Sequence, residues 1–290
     1  MVSYKSFINF IKINTLLSSI GLIQYLLIER ELNVYEWFFV TFTAFFIRNY
    51  GLMALIDYGV RQKPMIHNQV SVKEAFKHEF KLNVVSSTAV EMITYIFIRS
   101  FMFGRYTSIT IRDIIWFIPI SFIFELVFDF FHYWSHRIVH NKFLYRYIHK
   151  KHHKFLYPKT IVTYYQEPLD LLITNSLPTI LALLLVPLFT LPQFNMMLIY
   201  KEFIEISGHC GKLIHPTSSF SQCIWLPKLI NIQLHTEDHD LHHSLNKCNY
   251  SKRFSIWDRL FGTYKAYTKY GTNHQPQNKV IERIISYKDK

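Results

Sequence analysis

The stretch LLITNSLPTILALLLVPLFTLPQFNMMLIY, residues 171–200, contains no Asp, Glu, Lys, Arg or His. As a single helix it would extend about 45 Å at about 1.5 Å per residue, whereas the hydrocarbon core of a bilayer is about 30 Å thick. Pro187 and Pro192 offer a natural break, because proline removes a backbone donor and clashes with the preceding turn. The stretch therefore predicts a helical hairpin, roughly 170–189 and 193–208, that enters a membrane and returns.

Four further segments are apolar enough to lie in a membrane, at about 8–28, 34–56, 84–104 and 114–131. Half of the chain is apolar and only 18% is charged, against about 25% in an average soluble domain. We expect an all-α, multi-pass membrane helical bundle of about four spans plus the hairpin. N-terminal membrane helices would occupy residues 1–113, a catalytic domain 114–265 and a polar tail 266–290.

Basic residues are distributed unevenly between the two sides of this predicted bundle. With six crossings and the N-terminus inside, the segments 57–82, 132–168 and 209–290 share one side and carry 24 Lys and Arg, against three in the opposite loops. The positive-inside rule places this side, and both termini, in the cytoplasm. The net charge of +12 thus indicates orientation and contact with anionic lipid. No motif for nucleic-acid binding is present.

Histidine is concentrated in one part of the chain, since 12 of the 15 histidines lie between residues 132 and 243. The clusters are HYWSH at 132–136, HKKHH at 149–153 and HTEDHDLHH at 235–243, with SGHCG at 207–211 between the last two. The H-x3-H spacing places two rings on one face of a helix, and neutral imidazole is the commonest metal ligand. The clusters therefore predict metal binding, while His140 and His215 stay unassigned.

Acidic residues accompany the histidines at helical spacing. Glu125 and Asp129 precede HYWSH on the same helix face, and Glu205 stands one turn before His209. Metal-bound histidines commonly donate their second N–H to a carboxylate, so we expect these three residues to orient ligands. Nine or ten histidine ligands indicate two ions, held in a histidine-rich helical cap on the cytoplasmic face. Structural zinc would bring cysteine pairs, whereas an all-histidine iron pair suits O2 activation.

The order of these motifs, closed by NYSKRFSIWDRLFGTY at 249–264, resembles the fatty acid hydroxylase/sterol desaturase superfamily over about residues 114–265. The resemblance implies a membrane di-iron oxygenase that hydroxylates or desaturates a sterol, fatty acid or related long-chain lipid with O2, in lipid biosynthesis. It also implies residence in the endoplasmic reticulum and electrons from NAD(P)H through a separate cytochrome b5 or equivalent. The metal ligands it implies are His132, His136, His149, His152, His153, His209, His239, His242 and His243, with His235 as a further candidate.

The chain departs from the family pattern after its second cluster. Many members carry H-P-x-E there, whereas this chain has Glu167, Pro168, Leu169 and Asp170. Glu167 is therefore expected to be a ligand or the partner of one. Two other functions stay open: a membrane zinc-dependent hydrolase that uses the same histidines, and a non-catalytic metal-binding relative. Sterol, fatty acid, sphingolipid and aldehyde substrates stay open as well, as do hydroxylation and desaturation.

Overall fold

The computed structural model of the protein describes residues 4–66, 77–104, 108–155, 158–214 and 219–267. Most of the predicted polar tail thus lies outside the described residues. In the described residues the secondary structure is helical, apart from two isolated backbone bridges. The α-helices, in chain order, are α1 Tyr4–Ile28, α2 Val34–Val60, α3 Lys77–Met102, α4 Ile111–Ile115, α5 Phe117–Val139, α6 Lys142–Leu144, α7 Pro168–Leu171, α8 Leu177–Leu185, α9 Leu191–Gly208, α10 Leu226–Leu229, α11 Thr236–Leu245 and α12 Ile256–Leu260.

Five helical stretches are long and apolar enough to cross a membrane. The fifth joins α7 and α8 through a π-helical turn, Leu172–Ser176. Their outer faces expose large apolar side chains such as Phe39, Phe101 and Leu185, which lipid would cover. The prediction of an all-α, multi-pass membrane bundle is therefore confirmed. The five stretches are Phe7–Ile28, Val34–Val60, Glu79–Met102, Phe117–Val139 and Pro168–Leu185.

The chain reverses between α8 and α9, as the two prolines predict. Pro187 follows the end of α8, and Pro192 lies in the first turn of α9, where its missing N–H leaves no bond unmade. Thr190 caps α9: its Oγ1 accepts from the Gln193 backbone N–H, and the Gln193 side chain accepts from the Thr190 N–H. This capping box fixes where the second arm of the hairpin begins.

Helix α9 is the central element of the bundle, with most of its side chains buried. It approaches α1 closely at Gly21, where an added Cβ would lie 2.6 Å from the Met196 Cα. Small residues permit such close contact between helices in membranes. On another side of α9, Phe194 stacks on Tyr95 of α3. The end of α9 is therefore held firmly, and the next residue is His209.

Candidate metal centre

Three histidines share one face of α5 and its C-terminus. His132, His136 and His140 follow at intervals of one turn, with ring centroids 5.1 Å and 5.0 Å apart in succession. His140 is the residue that caps the helix. The first two rings are buried and the third is half-buried. Helical periodicity alone accounts for this stripe.

After α5 the backbone winds irregularly and contributes three more histidines. It widens into a π-helical turn, Tyr145–His149, and then tightens into a 3-10 turn, His152–Lys154. π-helical turns are found mostly at functional sites. As a result His149 and His153 meet with their Nε2 atoms 3.0 Å apart, whereas His152 turns toward His209, with 3.2 Å between the Nε2 atoms.

The remaining rings come from the ends of α9 and from α11. His242 and His243 are consecutive in α11, so their side chains leave the helix about 100° apart. His242 Nε2 lies 3.2 Å from His153 Nε2, while the His243 ring centroid lies 5.2 Å from that of His209. His242 and His243, although neighbours in α11, therefore lie close to different histidines.

The histidines form two groups, and within each group one nitrogen per ring lies within 4.8 Å of all the others. Nine rings from α5, the turns after it, α9 and α11 take part. The first group comprises His136, His140, His149, His153 and His242, and the second group comprises His152, His209, His239 and His243.

Hydrogen bonds fix the tautomers of three rings in the first group. His136 Nδ1 donates to the Tyr250 carbonyl at 2.8 Å, and His242 Nδ1 donates to the Cys248 carbonyl at 2.7 Å. His149 Nδ1 donates to an Asp170 carboxylate oxygen at 2.7 Å. Since Nδ1 carries the proton, Nε2 of each neutral ring carries a lone pair.

These lone-pair nitrogens point at one another. The Nε2 atoms of His136 and His149 are 3.1 Å apart. The Nε2 atom of His140, whose tautomer is not fixed by a hydrogen bond to another group in the described residues, lies 3.2 Å from that of His242. Lone pairs at such distances repel unless a cation lies among them. Nitrogens about 2.1 Å from a metal, at right angles, are about 3.0 Å apart. The rings of the first group therefore fit a metal ion.

The second group has fewer partners behind its rings. Only His209 has an Nδ1 that donates to another group in the described residues, to the Glu205 carbonyl at 2.7 Å. Nδ1 of His152 and of His239, and both ring nitrogens of His243, are buried without a hydrogen bond there. Buried polar atoms are rarely left unsatisfied. The Nε2 atoms of His152 and His239 lie 3.2 Å and 3.0 Å from His209 Nε2, so a metal ion would bind those nitrogens and the Nδ1 atoms would keep the ring protons.

A lysine lies against the second group. Lys252 Nζ is 3.1 Å from His239 Nε2 and 3.1 Å from a Glu205 carboxylate oxygen. The ammonium can donate to both atoms. Lys252 would therefore compete with a metal ion for the His239 lone pair. No other lysine or arginine among the described residues donates to a ring of either group.

The ligands outside the spanning helices are neutral rings. Burial lowers the pKa of His149 and His153 well below the ordinary histidine value, and neighbouring histidines lower it further. Burial, together with the charge of Lys252, lowers the pKa of His209 to about 3. Neutral imidazole is the form that binds metal ions, so these rings are ready ligands at neutral pH.

The helical stretch 168–185 supports both α5 and the turns after it. Its Asp170 orients His149, and the Thr174 carbonyl accepts from His132 Nδ1 at 2.6 Å. Thr174 lies in the π-helical turn Leu172–Ser176. A carboxylate or carbonyl behind a ring orients it and raises its basicity. Asp170, the last residue of the EPLD departure, is therefore a site residue that the sequence reasoning missed.

Two aspartates, Asp258 and Asp129, fix the first part of the closing motif, which contains Tyr250, Lys252 and Arg253. Asp258 accepts from the backbone N–H groups of Tyr250 and Ser251, both at 2.8 Å. On the other side Asp129 accepts from the N–H groups of residues 252, 253 and 254. These bonds fix the Tyr250 carbonyl and the Lys252 side chain that meet the histidines.

The sequence predicts that the acidic residues on α5 orient ligand rings. Glu125 and Asp129 bond to no histidine in the described residues. Glu125 accepts from Arg253 Nε at 2.8 Å, and Arg253 also donates to Glu205 at 3.0 Å. Both carboxylates contact the closing motif here, and the expectation that they orient ligand rings stays a prediction. Glu205 does reach the site, through Lys252 and the backbone carbonyl.

Three predicted site residues lie apart from the two groups. His132 is buried beside them, and its Nε2 has no hydrogen bond in the described residues. His235 is the N-cap residue of α11. The Glu167 side chain is 43% exposed and pairs with Lys151 at 3.4 Å, so the structure does not bring it to the histidines. His140 joins the first group instead; its position one turn after His136 was the available signal.

A cavity of about 30 Å³ adjoins both groups, and we call it the site cavity. It opens between α3, the turn at 160–164, the stretch 168–185 and α9. Its lining residues are Glu91, His132, His136, His149, His152, Thr163, Tyr164, Gln166, Leu171, Thr174, Asn175, Glu202, Glu205, His209, His239 and Lys252.

Comparison with known proteins agrees with this arrangement. Residues 121–263 match the fatty acid hydroxylase family. A very-long-chain aldehyde decarbonylase of Oryza sativa subsp. indica is 35% identical over 150 residues, covering 49% of this chain and 53% of the relative. A C-4 methylsterol oxidase of Schizosaccharomyces pombe is 30% identical over 175 residues, covering 58% and 54% respectively.

A Delta(7)-sterol 5(6)-desaturase of Gibberella zeae is 28% identical over 217 residues, which is 73% of this chain and 63% of the relative. The chain spans about half the length of curated relatives that it matches. No solved structure shows a significant match. Fold and site define a multi-pass membrane protein with two histidine groups that could hold metal ions. The protein belongs to the fatty acid hydroxylase/sterol desaturase superfamily.

Proposed function

We propose that the protein is a membrane-bound, iron-dependent oxidoreductase that hydroxylates or desaturates a lipid with O2. The observation that carries the proposal is the pair of adjacent groups of buried, neutral imidazoles at one end of an apolar helical bundle. Each group would hold one iron ion, with His132 beside them. The names of the relatives, an oxidase and a desaturase of sterols among them, support lipid oxidation.

Bound iron would supply the activation of O2 and the attack on an unactivated C–H bond. The chain positions the ligands: carbonyls of Tyr250 and Cys248 and the carboxylate of Asp170 hold three rings of the first group. Burial excludes bulk water from the reaction. Hydroxylation consumes O2, two electrons and two protons and yields the alcohol and one water; desaturation consumes the same and yields two waters. Lys252 holds a proton at the His239 ring.

The further expectations from the sequence complete the proposal. Electrons would come from NAD(P)H through a separate cytochrome b5 or equivalent, and the substrate would enter from the membrane of the endoplasmic reticulum. The excess of Lys and Arg on the side of the histidines, 24 against three, supports a cytoplasmic cap with both termini in the cytoplasm. A tag after Lys290 should be digested by protease in intact microsomes; a protected tag would contradict this orientation.

The test is lipid mass spectrometry on a host that expresses the protein, with the His242→Ala/His243→Ala double variant as the control. We expect a product about 16 daltons heavier or about 2 daltons lighter than its precursor, from gain of oxygen or loss of two hydrogens at the metal. Product formation should follow iron content and O2 uptake. Activity with zinc, without O2 uptake, would overturn the proposal in favour of a zinc-dependent hydrolase. Wild-type lipids identical to those of the double variant would indicate a non-catalytic relative.

A further inference from the structure

We infer that residues 219–234 form a loop that is embedded in the membrane and contacts lipid acyl chains, although the charge pattern predicts that residues 209–290 lie outside the membrane. The two ends of the loop lie together, since the Ser219 N–H donates to the Leu234 carbonyl at 3.2 Å. The stretch, SFSQCIWLPKLINIQL, contains one charged residue, Lys228. Compact loops of this length whose ends meet are frequently functional. The inference does not depend on the proposed function.

One side of the loop packs against helices that are apolar enough to span the membrane. Asn14 of α1 donates from Nδ2 to the Ser221 carbonyl at 3.0 Å. Phe220 packs edge-to-face on Phe122 of α5, with ring centroids 5.4 Å apart. Asn14 lies 14 − 7 = 7 residues inside the apolar stretch Phe7–Ile28, which is about 10 Å at about 1.5 Å per residue. The loop therefore returns along the apolar part of the bundle.

Hydrogen bonds within the protein satisfy much of the loop backbone. The Leu229 N–H donates to the Trp225 carbonyl at 2.9 Å, and the Ile232 N–H donates to the Pro227 carbonyl at 2.8 Å. The Ile232 carbonyl in turn accepts from the Ser255 N–H at 2.8 Å. Non-helical backbone is tolerated at membrane depth only where protein or a water-filled cavity surrounds it. These bonds reduce the number of backbone groups that lipid would leave unpaired.

The other side of the loop exposes apolar side chains. Leu229 is 80% exposed and Ile230 is 52% exposed. Beside them Trp225 stacks on Phe7, which is itself exposed at the start of the first apolar stretch, with ring centroids 6.3 Å apart. Tryptophan is enriched where lipid meets water, and the long stem of Lys228 lets its ammonium reach the headgroups. The exposed side of the loop thus continues the lipid-facing surface of α1, which favours acyl chains over a second protein as its partner.

The loop lies between two helices of the second histidine group. It follows α9 and His209, and it precedes α11, which carries His239 and His243. Its Phe220 also packs on Phe254 of the closing motif, with ring centroids 5.9 Å apart. Lipid contact would therefore attach this part of the site to the membrane, in addition to the five apolar stretches.

Fluorescence quenching tests the inference on the full chain, purified and reconstituted into phosphatidylcholine nanodiscs. The environment-sensitive fluorophore NBD is attached to the new cysteine of Leu229→Cys in a Cys223→Ser background, since the two remaining cysteines, Cys210 and Cys248, are buried. Phosphatidylcholine with a doxyl group on its acyl chain quenches fluorophores in lipid, and iodide quenches those in water. We expect doxyl to quench this label more strongly than iodide, because interfacial segments lie about 5–10 Å into the boundary of headgroups and acyl chains.

Two matched positions in the same background serve as controls. Ile47→Cys is the control for lipid, since Ile47 is 65% exposed in the middle of α2. Lys247→Cys is the control for water, since Lys247 is exposed just after α11. Ile230→Cys is the second loop variant and should behave as Leu229→Cys does. Stronger quenching of both loop labels by iodide, as in Lys247→Cys, would place the loop in water and overturn the inference. Quenching by neither agent would mean that protein covers the loop, which would overturn it as well.

Discussion

In the first histidine group, three of the five rings are held from behind, by the carbonyls of Tyr250 and Cys248 and by the carboxylate of Asp170. In the second group, one ring of four is held in this way, by the Glu205 carbonyl. Rings with fixed orientation lose less freedom when a metal binds. More rings of the first group than of the second therefore have the orientation that an ion would need.

Charge separates the two groups further. Lys252 brings an ammonium to within 3.1 Å of His239 in the second group, whereas Asp170 brings a carboxylate to the first. A nearby cation disfavours a metal ion and a nearby anion favours it. Two centres of the same ligand type thus differ in affinity, and we expect a chelator to remove the metal of the second group first.

We expect the largest effect from substitution of His242 and His243, which are adjacent in α11 but belong to different groups. His242→Ala should remove the ion of the first group, and His243→Ala that of the second, so that each variant keeps one ion per chain instead of two. Loss of one ligand from a histidine set leaves the other site intact because the sets share no ring. Elemental analysis of the purified protein counts the ions. If either variant loses both, the groups form a single cooperative site.

Asp170→Asn should lower the metal affinity of the first group about 10- to 100-fold, as changes behind a ligand ring commonly do. The substitution keeps the size of the side chain but removes the charge that His149 faces. Competition with a chelator measures the two affinities separately when His243→Ala or His242→Ala is the background. An equal loss at both groups would show that Asp170 acts on the fold and not on one ring.

Lys252→Met should raise the metal affinity of the second group about tenfold, because a hydrogen bond from a charged donor contributes about 1.5–3 kcal/mol and the His239 lone pair would be released. Glu205 keeps its bond from Arg253 at 3.0 Å. Lys201→Met is the control, since Lys201 is a half-buried lysine that bonds to Asn175. Unchanged affinity after Lys252→Met would mean that the ammonium moves aside at no cost.

Glu167→Ala should have the smallest effect, with metal content and affinity unchanged at both groups. Its side chain makes a half-exposed pair with Lys151, and such surface pairs contribute about 0–1 kcal/mol. Titration of wild type and variant with metal measures the difference. A fall in metal affinity comparable to that expected for Asp170→Asn would indicate that Glu167 is a ligand or the partner of one.

The membrane fold could be predicted from the sequence because each span is a long, mainly apolar run with few charged residues. The hairpin of α8 and α9 followed from the length of residues 171–200 and from two prolines. Helix α9 carries Lys201, Glu202 and Glu205 and is not among the five apolar stretches, yet no sequence pattern indicated that it lies at the centre of the bundle. That placement depends on shape, such as the contact of Gly21 with Met196.

The site was only partly predictable. The spacing of the histidines indicates that they can bind metal, but it does not show which histidines belong to which of the two groups. His152 and His153 are neighbours that join different groups, and the π-helical and 3-10 turns around them decide this. Asp129 lies on the face of His132 and His136, which indicated contact with the rings. Its actual partners are backbone N–H groups of residues 252–254, more than 120 positions later, and no local pattern encodes such a pairing.

The bond between Glu125 and Arg253 has a consequence for biosynthesis. The two residues are 253 − 125 = 128 positions apart, and ribosomes add about 5–20 residues per second. For about 6–26 seconds the carboxylates of α5 are therefore in a nascent membrane helix before their partners exist. The two histidine groups are not complete until His243 has been translated, so we expect a metal ion to bind late in synthesis or after it.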